Sequence, residues 1–224
     1  MDAVQDNSLA DAVGGRDAIV PDLADKPDSI SNTILPTFVP EFGAGINGQA
    51  VELKSDQQGY FTIQRPETYD FTQGLTVSAW IKVDSAGALM NIVTCADDKP
   101  DPEGGFTLGY SYGTVFFLAV DASGRPVKVS SSDNMVQAGN WTHVAGVADE
   151  QSLRIYINGI EAASVRFDGP VKLSPTPLVI GNHATIAGWR HSTCPAFGGS
   201  LDELKIWEVP LDATAVQAES EAGL

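Results

Sequence analysis

Twelve short apolar-rich runs, set apart by turn chemistry at nearly even spacing, constrain this chain more than any other feature. They span 49–54, 59–64, 75–83, 88–95, 105–112, 115–121, 127–132, 141–149, 153–157, 160–167, 177–182 and 200–207. Several alternate with period two, as in LTVSAWIKV, where Val77, Ala79 and Ile81 oppose Ser78, Trp80 and Lys82. Such alternation marks strands with one buried face, and runs of this length and spacing predict an all-β, two-sheet antiparallel sandwich. The sharpest turn signal lies in RIYINGIEAAS, where Asn158-Gly159 predicts a two-residue hairpin with positive φ at both positions. That turn sets Ile157 against Ile160 and Tyr156 against Glu161. Residues 149–152 form the preceding turn, so 141–167 reads as a three-stranded meander. Helical character is confined to a short C-terminal cap over 212–222, with Asp212 as N-cap and an exit at Gly223.

At 224 residues the chain reads as one domain over 1–224, with the proline-bearing stretch 22–40 as an irregular excursion. Apolar residues make up 43%, enough for a proper core. The net charge of −16, from 29 acidic and 13 basic residues, argues against nucleic acid or an anionic membrane as partner. It is compatible with divalent cations, which carboxylate oxygens bind well. No apolar run approaches the length of a membrane span. The first residues carry Asp2, Asp6, Asp11 and Asp17 rather than a basic region and an apolar stretch, so no signal peptide is expected in the chain as it stands.

The final strand, GGSLDELKIW, raises a specific question. Unbroken alternation puts Asp202, Leu204 and Ile206 on one face, the apolar and therefore core face. A buried carboxylate is costly unless something compensates it.

Taken together, LTVSAWIKV, GNWTHVAGVADEQSLRIYINGIEAAS, LVIGN and GGSLDELKIWEVPLDATAV resemble the laminin-G-like family, the pentraxin-related, concanavalin A-like jelly rolls. NGQAVELK resembles the family's entry strand, and the match runs in order over 48–220. The resemblance implies a sandwich of two antiparallel sheets with a short C-terminal helix and, often, a structural calcium (Ca2+) at one edge. It also implies that the first strand pairs with the last. That would bring Asp11, with Asp6 or Asn7, near Asp202, and carbonyls of Gly45 to Asn47 would complete an oxygen cage. The alternative partner for Asp202 is a set of backbone N–H groups from a neighbouring loop.

Enzymes of this architecture set the standard for a catalytic reading. A retaining glycosidase needs two carboxylates about 5 Å apart, supplied here by E-x-D-x-x-E on a strand. That pattern is missing, and so are the nucleophile, zinc and nucleotide motifs. A non-catalytic carbohydrate-binding or adhesion module of a larger exported, cell-surface or periplasmic protein is the leading expectation. A protein-interaction module and a polysaccharide-active enzyme with an unrecognised site are the alternatives. The partners expected are a glycan or protein ligand and the other domains of the parent chain. The family varies its ligands in the loops, and two stand out here. AGWRHSTCP offers Trp189, Arg190 and His191 in a row, a stacking platform beside two donors, unless Trp189 simply packs on the sheet edge. Asp97 and Asp98, with Asp101 and Glu103, form the other, which is a solvated acidic loop by default and otherwise the holder of a second cation, without the spacing of a calcium loop.

Cys95 and Cys194 fall in these same two polar segments. A bond between them would close a loop of ~100 residues, worth roughly 4–5 kcal/mol in the chain-entropy model; two unrelated thiols are the alternative. Peptide mapping of the unreduced protein decides it: one bridged peptide is expected for a bond, and two separate cysteine peptides refute it.

Overall fold

The computed structural model describes residues 39–57, 59–63, 69–85, 87, 89–96, 102–183 and 196–222, with the backbone of three two-residue strands nearer the N-terminus. The strands are β1 (Val4–Gln5), β2 (Ser8–Leu9), β3 (Ala18–Ile19), β4 (Glu41–Ala44), β5 (Gln49–Leu53), β6 (Phe61–Ile63), β7 (Leu75–Val83) and β8 (Leu89–Thr94). They continue with β9 (Phe106–Ser111), β10 (Thr114–Val120), β11 (Pro126–Ser130), β12 (Thr142–Ala148), β13 (Ser152–Ile157), β14 (Ile160–Arg166), β15 (Leu178–Ile180) and β16 (Gly199–Trp207), followed by helix α1 (Ala213–Glu221). All twelve expected strands are present.

Two antiparallel sheets result, one ordered β1-β2-β3-β6-β15-β8-β9-β10-β11 and the other β14-β13-β12-β7-β16-β5-β4. Their facing sides share one core. Val77, Ala79 and Ile81 of β7 meet a layer that includes Leu108, Tyr110 and Phe117, all fully buried. Alternation put these residues inward, and burial of each large apolar side chain is worth about 1.5–3 kcal/mol. Packing is tight enough that a Cβ on Gly146 of β12 would stand 2.5 Å from the Phe117 ring.

The hairpin reading holds in detail. Asn158 and Gly159 have φ of 50° and 79°, and the register pairs Ile157 with Ile160 and Tyr156 with Glu161. Asn158 also ties the hairpin to β12: its Oδ1 accepts from His143 N at 3.0 Å and its N–H donates to His143 O at 2.8 Å. Tyr112, the last residue of the expected strand 105–112, instead sits at φ 49° in the turn between β9 and β10 and is 67% exposed. Tyr112 and Gly113 both take positive φ there, making a second tight hairpin that the sequence reading missed.

Asp212 caps α1 by accepting from Ala215 N at 2.8 Å. Thr76 fixes the approach to the helix. Fully buried on the outer side of β7, it donates to Val209 O at 2.9 Å and accepts from Leu211 N at 2.8 Å. Val216 then packs with Leu211 against Ala145, Val147 and Tyr156 on the outer side of the seven-stranded sheet.

The N-terminal strands depart from expectation. β1, β2 and β3 pair with one another, and Ile19 of β3 pairs with Thr62 of β6, all in the nine-stranded sheet. The last strand, β16, lies in the other sheet between β5 and β7. The first strand therefore does not pair with the last. No helix of the described residues is long and apolar enough to cross a membrane.

Candidate ligand-binding site

Two places deserve comparison as sites, the outer side of the seven-stranded sheet and a cleft at the end of the sandwich. On the sheet, register builds one lateral row. His143 of β12 opposes Trp80 of β7, and Trp80 opposes Asp202 of β16. Strict alternation would have turned Asp202 inward, but β16 bulges. Asp202 pairs with Trp80 and Lys205 pairs with Ser78, so three residues on β16 span two on β7. Glu203 takes up the extra length at φ 49°. Leu201, Leu204 and Ile206 consequently pack on the core, and Asp202 stays outside with Lys205. The expectation that Asp202 opens a core face is thus corrected by a single residue of slip.

Although on the outer side, Asp202 is only 3% exposed. Its Oδ2 accepts from Ile46 N at 2.7 Å and Asn47 N at 3.1 Å, and its Oδ1 accepts from Glu203 N at 2.9 Å. The loop joining β4 to β5 is closed by Gly45 N donating to Gly48 O at 3.1 Å. A Cβ on Gly45 would collide with Asp202 Oδ2, so glycine lets the carboxylate reach the turn. The loop thus presents amides to Asp202, where the calcium reading needed carbonyls. Asn47, expected as a ligand, meets the carboxylate through its backbone N–H. Donors do not make a calcium cage, and the described residues around Asp202 fit capping. Asp6 and Asp11 lie outside the described residues, and no cluster of three potential ligand side chains occurs among the described ones.

His143 is buried, and its pKa is lowered to about 4, chiefly by desolvation; Glu219 pulls it up in part and Lys205 pushes it further down. It is therefore neutral at pH 7, edge-on to Trp80 with ring centroids 5.5 Å apart. Among the described residues neither His143 Nδ1 nor Trp80 Nε1 has a hydrogen-bond partner. Lys205 Nζ contacts Glu219 Oε2 at 2.8 Å and Glu203 Oε2 at 3.3 Å. Burial pulls the lysine pKa down, but the two carboxylates outweigh it and leave it raised. Both glutamates are thus committed to a cation, and α1 covers the neighbouring rows. This side of the sheet is closed.

The cleft is a shallow, mostly apolar depression. Tyr69, Phe71, Cys95, Phe106, Leu173 and Thr176 line it. Tyr69 stacks on Phe71 with centroids 5.5 Å apart and planes 18° apart, and Phe71 stands edge-on to Phe106 at 5.9 Å. Tyr69 is half-buried and packs on the core from its edge, with Phe71 as its support. Ser174 and Thr176, whose hydroxyls are 2.6 Å apart, bring polar groups to the same rim. Sequence reading missed this site. YDF alternates just before β7, but only the return of residues 173–178 beside it makes a cleft.

Cys95 follows β8 and is 8% exposed within the core cluster, so its placement in a polar loop is corrected. Asp97, Asp98, Trp189, Arg190, His191 and Cys194 lie outside the described residues.

With this geometry established, the chain belongs to the concanavalin A-like lectin/glucanase superfamily, whose laminin-G-type family model matches residues 55–217. Among solved structures, the binding domain of Paraclostridial Mosquitocidal Protein 1 is similar, with TM-score 0.63, 16% identity, and coverage of 82% of this chain and 45% of that one. Domain 4 of AbnA, a GH43 extracellular arabinanase from Geobacillus stearothermophilus, solved with arabinotriose, has TM-score 0.60 and 20% identity over 82% of each chain. The binding domain of botulinum neurotoxin serotype G has TM-score 0.62, 13% identity, and coverage of 82% and 45%. The chain thus spans under half the length of the toxin domains. Among curated proteins, none matches it by sequence.

Two measurements follow from the closed face. Asp202→Ala should cost about 1–3 kcal/mol by orphaning buried amides. The wild-type melting temperature should not respond to EDTA; a clear drop would restore the calcium reading. His143 supplies a pH dependence. Its folded pKa lies below its unfolded value of 6.5, so the unfolded chain binds more protons between pH 6.5 and about 4, and stability falls as pH falls through that window. From pH 7.5 to 5 the loss is about 2 kcal/mol. Urea midpoints for wild type and His143→Gln at both pH values should differ by that amount in their pH response; parallel responses would refute it.

Proposed function

We infer that the chain is a non-catalytic carbohydrate-binding module of an exported or surface protein, taking its ligand in the cleft bordered by Tyr69. The stacked Tyr69–Phe71 pair carries this reading. Sugar rings present C–H faces that pack on aromatic planes, and the Ser174–Thr176 pair adds hydroxyls near that plane. Support comes from a neighbour of matching size, the arabinanase domain solved with arabinotriose.

A catalytic role fits less well. Glu203 and Glu219, the carboxylates on the closed sheet face, both serve Lys205. The receptor-binding reading draws on the toxin binding domains and makes a protein or glycoprotein the ligand.

A glycan array, followed by calorimetry on the best hit, tests the proposal. Tyr69→Ala should weaken binding about tenfold, the scale of one lost aromatic contact. An empty array would favour a protein ligand. Unchanged affinity in Tyr69→Ala would move the site away from the cleft, and release of reducing ends from any bound polysaccharide would overturn the non-catalytic assignment.

A further inference from the structure

Each open sheet ends in strands with unpaired backbone groups, and such edges invite pairing unless blocked. Three of the four edges here are blunted. β1 has only two residues. β11 begins with Pro126, which has no N–H to offer, and carries Lys128. β4 has four residues, follows Pro40, and holds Glu41 against Lys54 Nζ at 2.6 Å.

β14 lacks the shortness, proline and lysine that blunt the other three, and its one irregularity is a bulge near its start. It runs seven residues, Ile160 to Arg166, without proline or lysine, and is half-buried or exposed throughout. Ile160 is 74% exposed and Val165 38%. Within the sheet its one neighbour among the described strands is β13.

The order of residues on this edge is self-complementary. Its pairing with β13 shifts register between Ile155 and Tyr156, so Ala162 is the extra residue of a bulge. Glu161 then opposes Tyr156, Ser164 opposes Arg154 and Arg166 opposes Ser152 on the outer side, while Ala163 and Val165 share the side toward the core. Consider a two-fold axis through Ser164, perpendicular to the sheet. Ser164 meets the second copy's Ser164, and Ala163 meets Val165. With Ala162 absorbed in the bulge, Glu161 meets Arg166, twice over. Every pair lies on matching faces, and opposite charges fall opposite each other without any slip. A neighbouring register loses that match. The Arg166 guanidinium is 83% exposed and engages Asp168 Oδ1 at 3.2 Å at the end of the strand, leaving its outer surface open to the second copy's Glu161.

We propose that β14 is a homodimerisation edge, joining two copies of this chain through a continuous antiparallel sheet with Ser164 on the two-fold axis and reciprocal Glu161–Arg166 pairs. The occupant is a second copy because the charges complement themselves under two-fold symmetry, as an isologous interface requires. The small side chains at Ala163 and Ser164 allow close strand approach, and pairing covers Val165. At a net charge of −16 per chain, a local reciprocal charge match is what lets two such molecules associate in one orientation.

Light scattering and sedimentation equilibrium at about 0.1 mM, which captures dimers as weak as Kd ~100 µM, test this. Wild type is expected as a dimer. Glu161→Arg should be monomeric, because each copy would then present like charges, and Glu161→Arg/Arg166→Glu should dimerise again. Ser164→Lys, an exposed change that sets two ammonium groups on the axis, should be monomeric with an unchanged circular dichroism spectrum. A wild-type monomer overturns the proposal. So does a dimer that survives both Glu161→Arg and Ser164→Lys, since it would use another surface.

Discussion

One carboxylate joins the last strand of this fold to the loop between β4 and β5. Asp202 receives three backbone N–H donors, two from the loop between β4 and β5 and one from Glu203. The pairing of β16 with β5 stops at Leu201 and Val51, one residue earlier. Beyond that point the two strands are held together by this cap rather than by a ladder. Charge-assisted bonds of this kind are roughly twice as strong as neutral ones, and an unfilled buried carboxylate would be worse than none. The cap and the bulge at Glu203 are therefore one device. The bulge turns Asp202 away from the core toward the loop, and the loop's amides make that position tolerable.

The same device marks the limit of what was legible. Period-two alternation read β7 without error and gave the Asn158-Gly159 register residue for residue, because both depend on contacts between close neighbours in sequence. It failed in β16 because a bulge is a property of two strands. A period-two reading carries its phase past an extra residue, and nothing in SLDELK announces positive φ at Glu203. Leu204 and Ile206 were placed correctly and Asp202 wrongly, which is what a one-residue slip between them produces. β4 and the three N-terminal strands escaped notice for another reason: runs of two to four residues hold too few alternations to read.

The Tyr69 cleft was invisible for a topological reason. Phe71 and Phe106 belong to the core cluster, and Tyr69 packs on it from the rim. What makes their meeting place a cleft is residues 173–178 returning beside them, a relation between segments roughly a hundred residues apart in the chain. By contrast, Trp80 and His143 look like site residues in isolation, being polar-tipped aromatics in one row. Their surroundings decide against it. Burial keeps His143 neutral at pH 7, Lys205 is saturated by Glu219 and Glu203, and Thr76 brings α1 down over the adjoining rows.

That closed face has a cost the rest of the fold must offset. Among the described residues the Trp80 indole N–H and His143 Nδ1, both buried, meet no hydrogen-bond partner, and a buried polar group left so forgoes about 1–3 kcal/mol. The row persists because its backbone is over-determined. Asn158 clamps His143 from one side, the β7 ladder holds Trp80, and the Asp202 cap fixes β16 from the other. Rigid backbone on three adjacent strands leaves the side chains no cheaper arrangement. Rigidity at the centre of the seven-stranded sheet in turn leaves adaptability to its periphery, where the aromatic cleft and the unblunted β14 edge lie. The broad face is accordingly given over to holding β12, β7 and β16 to one another and to the loop between β4 and β5, which is why both proposed recognition surfaces fall at the ends and edges of the sandwich.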